Sequence, residues 1–136
     1  MKSFLRSITQ LTFALGLLLA STALPARADL APADKQFLAG YEQVRAALAA
    51  DNLDSAKKSA TALPESGGAL ASSKTLAEAR AAFAKLSERA VKLAKGQKGY
   101  HIVYCSMANK QWVQTSSVVG NPFLGKEMAG CGEMKQ

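Results

Sequence analysis

A mainly α chain, folded as a small antiparallel helical bundle with a short irregular or β Cys-Met module at its carboxyl end, is what this sequence predicts. Three observations carry the expectation. Apolar residues recur at intervals of three and four over most of residues 33–95, alanine is abundant through the same stretch, and after Gly99 the composition switches to aromatic and β-branched residues.

The helices follow in order. Asp34 can cap a segment in which Phe37, Leu38, Tyr41, Val44 and Leu48 form one apolar stripe, which predicts a helix over 33–50. Asp51-Asn52 interrupts it, and residues 53–63 read as a shorter helix stopped by Pro64, whose ring removes a donor and disfavours helix in the residue before it. Glu65-Ser66-Gly67-Gly68 reads as a loop. Leu76, Ala79, Phe83, Leu86, Ala90 and Leu93 predict the longest helix, over 73–95, with Gly96 placed for a left-handed cap. Lys92, Lys95 and Lys98 complement the dipole at its carboxyl end, at about 0.3 to 1 kcal/mol each. The short linkers make successive helices antiparallel, and the alanine faces let them approach to ~8 Å.

The amino end carries the signature of export. Lys2 and Arg6 precede an apolar run from Leu11 to Leu19, and Ala26-Arg27-Ala28 has small residues where a signal peptidase reads. Residues 1–28 are therefore expected to be a cleaved signal peptide and 29–136 a single domain, soluble in the periplasm, because the run is too short for a spanning helix and no second one follows. Removal takes away Lys2, Arg6, Arg27 and no acid, so the formal charge falls from +7 to +4. That surplus, on a lysine-rich helical surface in an exported protein, points away from a nucleic-acid partner.

The carboxyl module holds the chemistry. Both cysteines, the one histidine, Met107 and Met128 fall within Tyr100–Met107 and Gly125–Gly132. Thiolate, thioether and imidazole together suit a soft ion such as Cu(I). Tyr100 to Cys105 reads as a strand with His101, Val103 and Cys105 on one face, and Trp112-Val113-Gln114 as its partner. Asn121-Pro122 marks a turn, and the glycines at 125, 130 and 132 keep any helix there brief. In this reading His101, Cys105 and Met107 form one jaw of a pincer, while Met128 and Cys131, at spacing i, i+3, form the other.

Cys105-Ser106-Met107, Trp112-x-Gln114, Asn121-Pro122-Phe123-x-Gly125 and Met128-x-x-Cys131-Gly132, in that order, resemble a bacterial periplasmic family of unknown function. Its members occur alone or fused to the carboxyl end of the membrane-fusion adaptors of copper and silver efflux pumps. The resemblance implies Cys105, Met107, Met128 and Cys131 as metal ligands, with His101 beside them. It also implies copper as the bound ion and an efflux adaptor or another periplasmic copper protein as partner. The sequence departs from the family's Cys-Pro-Met at Ser106, which loosens the turn that aims Met107, and the stretch Ala108 to Gln111 is shorter than the family's.

The residues also support a structural alternative, in which Cys105 and Cys131 form a disulfide worth roughly 3 kcal/mol and the domain binds an envelope protein. Sharper chemistries lack their residues. A blue-copper centre needs two histidines, covalent haem needs Cys-x-x-Cys-His, and a structural zinc needs paired Cys-x-x-Cys. His101 and Cys105 lie in one short segment without a third member or an oxyanion loop, so no enzyme is expected.

Overall fold

The structure, a computed structural model, describes residues 28–63 and 66–135. The predicted signal segment lies outside the described residues except for Ala28. No helix among the described residues is long and apolar enough to cross a membrane.

Helix α1 (Pro32–Ala49) opens on a proline whose fixed φ suits the first helical turn. Asp34 is not its cap. Ala31 holds that position without a side-chain bond, and Asp34 lies inside the first turn, paired with Arg89 at 3.3 Å. The helix ends as Asp51 turns into left-handed backbone with φ 54°. Asn52 then accepts from the Ser55 amide at 2.9 Å and starts α2 (Leu53–Ala60), three residues shorter than expected. Gly67 packs so closely on the last carbonyl of α2 that no side chain would fit there. It leads into α3 (Gly68–Ala71), a single turn that buries Leu70 just beyond the predicted loop.

Helix α4 (Leu76–Ala94) starts three residues later than its stripe suggested, because a capping box sets its start. The Thr75 hydroxyl accepts from the Glu78 amide at 3.1 Å, and the Glu78 carboxylate accepts from the Lys74 amide at 2.7 Å. Gly96, with φ 76°, follows its end as expected.

The remainder overturns the helical-bundle expectation. β1 (His101–Cys105), β2 (Lys110–Gln114) and β3 (Glu133–Met134) form an antiparallel sheet in the order β2-β1-β3, and the fold is mixed α and β. The sheet is not an appendage over one end of a bundle. Ile102, Val103, Cys105, Trp112 and Val113 belong to the same buried cluster as the helical residues, and α4 packs more extensively on β2 than on α1. The physical reason is that α1 meets α4 over a smaller area, at Tyr41 with Phe83 and Ser87 and at Phe37 with Arg89. Much of the apolar surface of α4 is therefore covered by the hairpin.

A line of rings runs from the helices to the sheet. Tyr41 stacks on Phe83 at 4.8 Å, Phe83 meets Phe123 at 5.6 Å, and Phe123 meets the edge of Trp112 at 6.2 Å. The Tyr41 hydroxyl bonds Ser87 at 2.7 Å and accepts from the Val113 amide at 3.3 Å, satisfying a donor that points outward from edge strand β2. Burial, only partly offset by these bonds, pushes its ionisation well above the usual tyrosine range, so it remains a hydroxyl.

Candidate functional site

Cys105 ends the central strand of the sheet. Its position is fixed by pairing with Lys110, and only 1% of its surface is exposed. Cys131 comes from the other side, after the 3-10 turn Gly125–Met128 and just before β3. The two form a disulfide across a Cα separation of 5.8 Å, and among the described residues no cysteine is free.

Four groups of contacts carry Cys131 to this place. The buried Asn121 amide donates to the Cys131 carbonyl at 2.8 Å, while its Oδ1 accepts from the amides of Phe123 and Leu124 at 2.8 and 2.9 Å. Gln114, also buried, accepts from the Trp112 indole at 3.0 Å and from the Gly120 amide at 3.2 Å. It donates to the carbonyls of Ser116 and Val118, which folds the segment between the hairpin and Asn121. Arg45 donates to the Gly120 carbonyl and Arg80 to the Pro122 carbonyl, both at 2.9 Å, tying that segment to α1 and α4. Finally Asp51 pairs with Arg80 and accepts from the Lys126 amide at 3.0 Å. Those two bonds, the backbone one first, hold its carboxyl below the ordinary carboxylate range.

Two glycines permit the close approaches. Gly125, with φ 64°, presses against the Asp51 carboxylate where a side chain would collide. At Gly132 a Cβ would come within 2.6 Å of Val103 and 2.8 Å of the Trp112 ring. The ordered run from Trp112 to Gly132 is thus a scaffold that lays Cys131 against Cys105. The sequence shows its cysteines and places Asn121 and Gly132 in the ordered motif, but read locally Asn121 marks only a turn and Gly132 only a helix breaker, so their part in seating Cys131 is not visible there.

The disulfide lies in a surface depression of about 260 Å³, lined also by Tyr104, Ser106, Met107, Gly132 and Glu133. Met107 is 66% exposed on the turn after β1, so the strand face does not continue to it as the pincer reading assumed. Met128 is 37% exposed and does not line the depression, although its carbonyl accepts from the Cys131 amide at 3.0 Å. His101 shares the Cys105 face but opens the strand opposite Gln114, about 13 Å away along the chain at about 3.3 Å per residue. Cys105, Cys131 and Met107 are therefore gathered here, while His101 and Met128 are not. Tyr104 and Glu133 complete the wall. Lys135 pairs with Glu133 at 2.6 Å, which lowers the Glu133 carboxyl, and lies 5.9 Å over the Tyr104 ring.

Among the described residues no group of three or more histidine, cysteine or acidic side chains is placed to hold a metal. With the disulfide closed neither sulfur is a thiolate, and the residues do not fit Cu(I). Opened, the same geometry offers two adjacent thiolates and one thioether, a donor set that does suit it. Comparison with protein-family models, with curated proteins and with solved structures returns no match for this chain.

Proposed function

We propose that the chain is an exported, periplasmic Cu(I)-binding protein that works in its dithiol form and hands copper to, or shields the cell from it alongside, an efflux system. One observation carries the reading: Cys105, Cys131 and Met107 meet at a single surface depression, although they come from a strand end, a tail and a turn. Two thiolates would supply the principal ligands and Met107 a third, and the exposed turn after β1 lets its thioether swing toward them. Metal–thiolate bonds near 2.3 Å, the length for zinc, separate two bridged sulfurs by more than a disulfide does, so the Cys131 tail would move outward slightly. His101 and Met128 would join only after a larger rearrangement.

The test is competition with a chromogenic Cu(I) chelator. Reduced protein should withdraw one equivalent, the disulfide form far less, and a Cys105→Ser, Cys131→Ser double variant no more than the disulfide form. Equal competition by the reduced chain and the double variant sinks the copper reading. The second reading, a disulfide-stapled domain that binds an envelope protein, then takes its place, since the bond itself is formed and one of its sulfurs is buried.

A further inference from the structure

The two sulfurs of the disulfide are not equivalent, and the geometry points to Cys131 as the site at which a reduced dithiol protein of the thiol–disulfide oxidoreductase class opens the bond. Thiol exchange is an in-line displacement, so the incoming thiolate must approach the attacked sulfur from the side opposite its partner. For Cys105 that approach is obstructed, because the residue is 1% exposed and is held at the end of the central strand by pairing with Lys110 of β2. Cys131 is only partly buried and lies shortly before a strand of only two residues. Its neighbour Gly130 has open space where a side chain would be, while Gly132 on the other side is pressed to Val103 and Trp112. Cys131 is therefore the more accessible of the two sulfurs.

The partner's thiolate forms a bond to Cys131 Sγ, and the Cys105–Cys131 bond breaks. Cys105 leaves as a thiolate and takes a proton from water in the depression. The partner's second thiol then attacks its own sulfur in the mixed disulfide and releases Cys131. Two electrons and two protons pass from the dithiol to this chain, and the partner departs as a disulfide. This inference rests on the proposed function in one respect only, that the dithiol is the working form.

The experiment mixes the oxidised chain with a dithiol oxidoreductase whose resolving cysteine is changed to serine, then maps the trapped adduct by peptide mass. An adduct on Cys131 is expected. An adduct on Cys105 overturns the inference, as does failure of the intact dithiol protein to open the bond. A second measurement uses single variants with a chromogenic thiol reagent. Cys105→Ser, which frees Cys131, should react at least about tenfold faster than Cys131→Ser, which frees buried Cys105; equal rates in variants of unchanged circular dichroism overturn the assignment. Copper competition by chemically reduced protein is read separately, so either idea can fail alone.

Discussion

The side-chain amide of Asn121 donates to the backbone carbonyl of Cys131 at 2.8 Å, across ten residues of chain and with the asparagine fully buried. Its oxygen is engaged nearby as well, accepting from two backbone amides. Replacement by alanine leaves those partly buried partners without the side chain that satisfies them. Asn121→Ala should lower stability by about 2–3 kcal/mol, measured by urea unfolding. Asn121→Asp retains the acceptor but sets a buried, unpaired carboxylate against the Cys131 carbonyl, so it should be at least as destabilising at neutral pH and should also speed reduction of the disulfide by dithiothreitol. Reduction as slow as wild type in both variants would show that Asn121 does not position the tail.

Gly132 tests the same scaffold from the other side. A methyl group there meets Val103 and Trp112 within 2.8 Å, and both belong to the buried core. Neither neighbour is the free end of a flexible side chain. Gly132→Ala should therefore cost about 1–3 kcal/mol and shift the Trp112 emission to longer wavelength as the tail lifts. An unshifted spectrum with unchanged stability would mean the tail accommodates the methyl without leaving the ring.

Much of this arrangement was legible from residue spacing. The apolar stripes of α1 and α4 place Phe37, Tyr41, Phe83 and Leu86 in the core, where they are found, because a helix carries its own pattern within each few turns. The strand from His101 to Cys105 was also readable from its β-branched and aromatic residues. The bundle expectation failed at β2. Trp112-Val113-Gln114 reads as the partner strand, but all three are buried while Lys110 and Gln111 are exposed, a pattern without the alternation that would tell which face packs on the helices. The burial of β2 on both sides comes from α4 and from the loop folded by Gln114, neither of which is local in sequence. For the site, composition named the two sulfurs that meet but could not separate them from His101 and Met128, since proximity there depends on where β1 ends and how the Asn121 loop turns.

Acid should reveal the clamp between Asp51 and the tail. Its carboxyl, ordinarily near 3.8, is lowered in the fold by the Lys126 amide first and by Arg80 second. A depressed carboxylate contributes stability that is complete above the unfolded value and is lost as pH falls through the folded one. The loss therefore begins near pH 4 and continues below it. Asp51→Asn should be less stable than wild type at neutral pH, with the difference narrowing through that window. Glu133 titrates there too, beside Lys135, but it is common to both proteins and drops out of the comparison. A difference that stays constant from pH 6 to pH 2 would show that the charge on Asp51 contributes nothing.

The disulfide closes a loop of 26 residues, and in the chain-entropy account that loop costs the unfolded state about 3–4 kcal/mol of freedom. Neither sulfur takes part in the ring contacts from Tyr41 to Trp112, the Asn121 bonds or the Arg80–Asp51 pair, so opening the bond removes none of these contacts directly. Reduced wild type and the Cys105→Ser, Cys131→Ser variant should accordingly both stay folded, each about 3 kcal/mol less stable than the oxidised chain, with helical circular dichroism unchanged. Cu(I) should then distinguish them. Metal bound only by the folded dithiol raises its stability by mass action, about 2.7 kcal/mol at a free concentration one hundred times the dissociation constant, while the serine variant gains nothing. Thermal unfolding of the two under buffered Cu(I) measures this directly, and equal midpoints would assign the cysteines to the staple alone.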